Sequence, residues 1–431
     1  TSQSNVRDFS FCTQSQSFVT NLGLGMRPGK GRYHSLLGLL SNTKIKGLTF
    51  TNTNIIGLQT SSLPTSHSPS LLQSLHFTFV FYLYDDSWVA DIIRHCPHLV
   101  DMRLGVPGSQ GSEVPKIDQA IGSLSKLAVL HRYNLHEQSN SPSKIKNDTT
   151  PFGTVALREL VEFGLLYPPG PNGLLESAIR RSSDILEVLI LQSKARTDFN
   201  LVEALGPLST ASNQSCLLLP RLTHLELPSR LTPASFELMA SILPSLPLIH
   251  LHVKGWTCRL LAFVNLSVLK SLSLSAPEED IVDIFSRAVL KSSSYQMESL
   301  YLQRTLMTPS LLDVLGVLPL KRLSIYDMEG HNMTEILQRL SLLHLQVLTI
   351  KDECYDWTVE KVLAGRSVEF LNGFLLQLVY EHKAAVGDIH KEDARDLNGS
   401  PIRLARRRVR LMSTMTFWNE YYAMLLPTFA H

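Results

Sequence analysis

Short stretches with leucine or another apolar residue at their first, fourth and sixth positions recur along the chain. Leu222, Leu225 and Leu227 form one such stretch, and polar residues lie between them. Alternation of apolar and polar residues over so few positions predicts a β-strand with one buried face. The twelve stretches begin at Ile45, Leu72, Leu99, Leu130, Leu160, Leu186, Leu222, Leu248, Leu269, Met297, Leu320 and Leu345.

The segments between these strands mostly carry apolar residues three and four positions apart, which predicts helices with one buried face. Two helices begin with a Thr-Pro pair, at Thr232 and at Thr308. Threonine before a helix accepts a hydrogen bond from a free backbone N–H. Proline at the first helical position does not remove a helical hydrogen bond, because the N–H at that position has no partner within the helix. The predicted helices cover residues 33–40, 86–95, 114–124, 174–181, 201–208, 232–243, 277–290, 309–317 and 333–340.

Strand and helix together repeat at intervals of 21 to 36 residues. A period in this range predicts a leucine-rich repeat solenoid of the α/β class. We expect a horseshoe in which parallel strands line the concave side and mostly helical connectors form the convex side. The predicted organisation is an irregular segment or partial repeat at 1–44, a solenoid at 45–353 and a helical C-terminal cap at 354–431.

Both ends of the solenoid carry further predictions. Val6, Phe9 and Phe11 suggest an additional strand, and an open solenoid end needs a cap, so we expect the chain to be a fragment of a longer protein. Two helices, 367–383 and 402–424, are predicted for the C-terminal cap. The arginines between Arg403 and Arg410 have two interpretations: a nuclear-import or anion-binding patch, or a solvated helix face opposite the acidic stretch 388–396.

Composition narrows the function classes. Apolar residues make up 44% of the chain and charged residues 18%, and the net charge is +2, so no global charge favours nucleic acid or a membrane surface. Five scattered cysteines without a paired spacing argue against a disulfide framework or zinc site and predict an intracellular location, cytoplasmic or nuclear. No secretory signal or apolar run long enough to span a membrane is visible in the sequence.

The sequence contains no motif that requires catalysis. The glycine-rich run from Gly23 to Gly31 resembles a phosphate-binding loop, but Leu24 and Gly31 stand where glycine and a magnesium-binding hydroxyl are required. We interpret this run as a turn. The prediction is therefore a non-enzymatic protein without a cofactor or metal.

Outward strand positions are the best candidates for a binding surface, because side chains alternate between the two faces of a strand. The third, fifth and seventh positions of each stretch, Arg132 among them, are predicted to project from the concave wall; the alternative is an ordinary polar surface. The histidines at 224, 250 and 252 also suggest a metal site or joint titration, weighed against the same ordinary surface. The residues predicted to contact a protein partner are His224, Glu226, His250, His252, Lys254, Tyr301, Arg322 and Tyr326.

The repeated units, such as Leu219-Pro-Arg-Leu222-Thr-His-Leu225-Glu-Leu227 and Cys96-Pro-His-Leu99-Val-Asp-Met102-Arg-Leu104, resemble the intracellular leucine-rich repeats of F-box-type proteins, particularly fungal ones. The resemblance covers about residues 45–350 and implies a substrate-recognition arm of a ubiquitin ligase. Ligase components would then bind through a region before Thr1. The alternative is a stand-alone scaffold, or a regulatory solenoid such as a GTPase activator. The asparagine or cysteine common three residues after the sixth position is absent, which predicts less regular turns.

Overall fold

The computed structural model divides into two units, residues 1–242 and 243–431, which are described separately as unit 1 and unit 2. The structure describes residues 21–25, 46–51, 54–55, 70–78, 81–82, 87–105, 114–133, 155–165, 174–193, 198–202, 205, 219–277, 282–286, 289, 295–326, 345, 347–351 and 356–358. Several predictions lie outside these residues: the additional strand at 6–11, the helices at 33–40 and 333–340, the two cap helices and the arginine cluster 403–410.

Unit 1 contains a parallel sheet with strands in the order β1-β2-β4-β6-β7-β8-β9-β10. Its strands are β1 Asn21–Gly25, β2 Gly47–Thr51, β3 Asn54–Ile55, β4 Ser74–Thr78, β5 Phe81–Tyr82, β6 Asp101–Gly105, β7 Val129–Tyr133, β8 Glu159–Leu165, β9 Val188–Ser193 and β10 His224–Glu226. The short strands β3 and β5 pair with each other in a second parallel sheet. Strand β1 lies within 1–44, where no regular strand was predicted at this position.

Unit 2 also contains strands that follow one another in sequence order. Its strands are β11 His250–Lys254, β12 Ser271–Ser275, β13 Ser299–Gln303, β14 Arg322–Tyr326, β15 Val347–Lys351 and β16 Asp356–Thr358. Strands β11 to β15 are parallel, and β16 pairs with β15 in the antiparallel sense. All twelve predicted strands are thus present, and the α/β class with parallel strands is confirmed.

Helices connect successive strands, as predicted. They are α1 Ser87–His95, α2 Val114–Gly122, α3 Leu174–Ser182, α4 Pro233–Ile242 and α5 Pro309–Val317, with 3₁₀ helices at Leu243–Ser245 and Gly255–Phe263. The predicted threonine cap of α5 is confirmed, because Leu311 N–H donates to the Thr308 hydroxyl at 3.2 Å. Thr232 performs the same role for α4, accepting from Ser235 N–H at 3.3 Å.

The core of each unit lies on the sheet face that carries the fourth and sixth positions. Leu272, Leu300 and Leu323 are in register on β12, β13 and β14, and each is at most 2% exposed. Burial of one leucine side chain stabilises the fold by about 1.5–3 kcal/mol. The repeated leucines therefore determine which face of every strand packs inward.

The predicted register was wrong in two repeats. Met102 pairs with Leu130, and Leu130 pairs with Leu160, so both leucines occupy the fourth position rather than the first. The sixth positions of these repeats are the polar residues Arg132 and Glu162. The sequence prediction followed apolar residues and therefore began both stretches three residues too late. As a result Arg132, predicted to project outward, is a core-side residue that is only 3% exposed.

The ends of three strands in unit 2 share a feature that the sequence did not indicate. Gly255, Ala276 and Arg304 follow β11, β12 and β13 directly and have φ angles of 56°, 47° and 47°. This left-handed conformation turns the chain out of the sheet, and it costs a residue with a side chain about 1–2 kcal/mol. The turn at these strand ends thus depends on backbone conformation rather than on a ladder of asparagines.

Candidate functional site

The unit 2 strand face is the set of third-, fifth- and seventh-position side chains of β11 to β14. Register between the parallel strands aligns these side chains in three rows. The rows are His250, Ser271, Ser299 and Arg322; His252, Ser273, Tyr301 and Ser324; and Lys254, Ser275, Gln303 and Tyr326.

The structure places six of the eight predicted partner-binding residues on this one face. These are His250, His252, Lys254, Tyr301, Arg322 and Tyr326. His224 and Glu226 belong to unit 1, on β10. Parallel pairing of consecutive repeats therefore brings together side chains that are up to 76 residues apart in sequence.

The strand face is much less accessible than the sequence predicted. His252, Ser273 and Tyr301 are only 3%, 1% and 7% exposed, whereas Lys254 and Arg322 are exposed at opposite ends of the set. Neighbouring strands lie about 4.8 Å apart, so histidine and tyrosine flank the short serine in register and shield it. Polarity in the sequence indicated the correct face but not its accessibility.

A hydrogen-bonded chain crosses three strands of this face. The Ser275 hydroxyl donates to Gln303 Oε1 at 3.0 Å, and His252 Nε2 lies 3.2 Å from the same hydroxyl. Because the serine proton is directed to Gln303, His252 must donate to Ser275. A serine nucleophile requires the reverse, a histidine that accepts the hydroxyl proton. The chain of hydrogen bonds therefore connects the strands and does not activate Ser275.

Aromatic packing adds a second connection on the same face. The rings of Tyr301 and Tyr326 have centroids 4.9 Å apart and are tilted by 34°. Such pairs contribute about 0.5–1.5 kcal/mol beyond the area that they bury. Since both tyrosines are 7% exposed, their packing supports the face rather than offering free surface to a partner.

The corresponding face of unit 1 carries an array of charged residues. His76 Nε2 lies 2.9 Å from Asp101 Oδ2, and Arg103 Nε lies 3.3 Å from Asp101 Oδ1. Burial raises the pKa of Asp101, but His76 and Arg103 outweigh it and hold that pKa below its usual value. On the next strands, His131 Nε2 is 3.7 Å from Glu159 Oε2.

His131 and Glu159 were missed by the sequence analysis because of the register error in their repeats. They are 4% and 8% exposed. Burial lowers the pKa of His131 despite the raising effect of Glu159, so the ring is held in its neutral form. Counting from Leu127 and Leu157 instead would have identified both residues as outward-facing.

Metal and thiol chemistry have little support in the part of the chain that the structure describes. Among the described residues, no group of three or more His, Cys, Asp or Glu side chains is arranged to hold a metal ion. His224, His250 and His252 therefore do not form such a group. Cys96 and Cys258 are buried free thiols, and burial raises the pKa of Cys96 to about 12, against a smaller lowering effect of Ser70. No described helix is long and apolar enough to cross a membrane.

Comparison with protein-family models gives no match to the chain, and comparison with curated proteins gives none either. Neither the family resemblance nor a function is therefore established by similarity.

Proposed function

We propose that the chain is a non-catalytic protein-interaction solenoid with a horseshoe form and a helical C-terminal cap. The register of unit 2 supports this proposal, because it aligns polar residues from separate repeats on one sheet face. A row of side chains supplied by consecutive repeats can contact an extended surface of another protein.

Accessible side chains would make the contacts, and buried ones would hold them in position. Lys254 and Arg322 are exposed, and His250 and Gln303 are partly exposed. Arginine is favoured as an interface anchor because its planar group forms several directed hydrogen bonds. Tyr301, in contrast, has little surface left to bury, so its removal should weaken folding before binding.

The test uses the full chain as bait in an extract of its source cells, followed by affinity measurement with any captured protein. Arg322→Ala and Lys254→Ala should each weaken binding by about 1 kcal/mol or more, roughly fivefold. Glu237→Ala is the matched control, since Glu237 is exposed on helix α4 of unit 1. Equal affinity of all three variants would contradict a role for the strand face and direct attention to the inserted loops.

The more specific role, a substrate-recognition arm of an F-box-type ubiquitin ligase, stays a prediction, as does a cytoplasmic or nuclear location. It requires ligase components to co-purify with the protein from its source cells. A stand-alone scaffold would capture partners without them. A GTPase activator would instead accelerate GTP hydrolysis by its captured partner and would lose that effect on removal of one exposed arginine.

A further inference from the structure

Four charged side chains meet where strands β12, β13 and β14 begin. Lys270, Glu298 and Lys321 directly precede the three strands, and Arg322 is the first residue of β14. Backbone hydrogen bonds hold them in successive rungs: Glu298 N–H donates to Lys270 O at 2.9 Å, and Lys321 N–H donates to Glu298 O at 2.8 Å. All four residues are exposed. We call this set the cationic edge.

Positive charge exceeds negative charge at the cationic edge. Its three cations and one carboxylate give a net charge of +2. Lys321 Nζ donates to Glu298 Oε1 at 2.8 Å, whereas Lys270 and Arg322 have no hydrogen-bond or ion-pair partner for their side chains among the described residues. Lys270 and Arg322 are attracted to the Glu298 carboxylate, whose pKa is lowered chiefly by its hydrogen bond with Lys321, but both side chains are exposed and can also reach groups on a partner.

The spacing of the cations suits an extended peptide. Two strand separations of about 4.8 Å place Lys270 roughly 10 Å from Lys321 and Arg322. Side chains of an extended chain alternate between two faces and advance about 3.4 Å per residue, so carboxylates four residues apart share one face about 14 Å apart. The long, flexible Lys270 and Arg322 side chains can reach both of them. Between the two cations lies Glu298, paired with Lys321, so the centre carries no excess positive charge to attract a third carboxylate.

We propose that the cationic edge binds an extended acidic segment of a partner protein, with two carboxylates four residues apart and a basic or polar residue midway between them on the same face. This inference rests on the proposed interaction function and specifies the chemistry of the partner. The carboxylates pair with Lys270 and Arg322, and the central residue faces Glu298. A uniformly charged polyanion such as RNA fits less well. It carries a phosphate at every nucleotide, so one phosphate would lie against the Glu298 carboxylate.

Unit 1 offers a matched control at the equivalent position. Arg158 directly precedes strand β8 and is about half exposed, with Nη2 3.5 Å from Glu159 and Nε 3.7 Å from Glu187. Two carboxylates thus neutralise this cation. Arg158→Gln removes the same charge from a strand start without affecting the cationic edge.

The experiment selects binders to the full chain from a random peptide library displayed on phage. Synthetic, fluorescently labelled forms of the enriched peptides are then measured by fluorescence anisotropy. We expect enrichment of acidic residues four apart, and Lys270→Gln and Arg322→Gln should each weaken binding about two- to fivefold. Arg158→Gln should leave the affinity unchanged. Raising the salt concentration to about 1 M should weaken binding, because exposed charges are screened.

Glu298→Gln tests the central position. It should reduce the preference for a basic residue between the carboxylates and increase the affinity for a single-stranded RNA oligonucleotide. Tighter binding of that RNA than of the peptides to the unmodified chain would overturn the proposal in favour of a nucleic-acid surface. Failure to enrich acidic peptides would overturn it as well.

The two proposals fail in different ways. Peptides or captured proteins whose binding depends on Lys254 but not on Lys270 would refute the cationic edge and leave the strand face as the binding surface. Absence of any bound peptide or protein would refute both.

Discussion

The ion pair between Arg132 and Asp118 provides a demanding test of the register found in unit 1. Arg132 occupies a core-side position on β7, and its Nη1 lies 2.5 Å from Asp118 Oδ1 on helix α2. The two side chains are 4% and 17% exposed. Replacement of Arg132 by methionine preserves much of the buried volume but leaves the carboxylate without this cation.

The expected loss follows from that burial. Removing one partner of a buried ion pair costs about 3–5 kcal/mol, because the remaining charge is desolvated without compensation. The same change in an exposed pair costs about 0–1 kcal/mol. Arg94 and Asp91 on helix α1 form such a pair at 2.9 Å, with side chains 44% and 28% exposed. Arg94→Met is therefore the control.

Urea-induced unfolding, followed by circular dichroism and by hydrogen exchange of β7 and α2, measures both variants. The double variant Arg132→Met with Asp118→Leu should recover most of the lost stability, since a packed apolar pair needs no compensating charge. If Arg132→Met costs no more than Arg94→Met, Arg132 does not lie on the core side and the register is wrong.

The effect of pH supplies a second criterion for the same pair. Burial raises the pKa of Asp118 above its ordinary value, although Arg132 opposes the shift. A carboxyl with a raised pKa in the folded state contributes stability below its unfolded pKa and loses it as pH rises through the folded pKa. Without Arg132 this loss should be greater. The deficit of Arg132→Met should therefore shrink as pH falls towards about 4, and a deficit independent of pH would argue against a desolvated carboxylate.

Three further predictions concern individual positions. Leu272→Asp should lower the free energy of unfolding by about 4 kcal/mol or more, and Ser273→Asp should lower it by over about 2 kcal/mol because Ser273 is 1% exposed. Ser273→Ala should be nearly neutral in urea unfolding, since the Ser273 hydroxyl has no hydrogen-bond partner among the described residues. The pKa of His131 is lowered by burial, so stability should fall as pH drops below about 6.5, and His131→Gln should flatten that dependence in thermal melts at several pH values. Ala276→Gly should raise the free energy of unfolding by about 0.5–1 kcal/mol by relieving the left-handed φ of 47°, and a destabilised variant would contradict this reason.

The sequence alone was sufficient to locate the repeated strands and most connecting helices. Leucines at the fourth and sixth positions, such as Leu272 and Leu274, must be buried together, and a period of two allows only one strand face to meet that need. The Thr-Pro pair at Thr308 likewise acts locally, through a hydrogen bond within the first helical turn. Such features follow from neighbouring residues, so they can be read without the fold.

Other features depended on residues that are distant in sequence. Arg132 can occupy a core position because Asp118, fourteen residues earlier, reaches it from helix α2. A hydrophobic pattern cannot identify a charged residue at a core position. The predicted stretches in two repeats consequently began three residues too late. Long-range pairing also decides that Ser273 is buried between His252 and Tyr301, and that Lys270, Glu298 and Lys321 form one edge. Polarity and periodicity determine which face a residue takes; its accessibility and its charged neighbours are set by the side chains that adjacent strands place about 4.8 Å away.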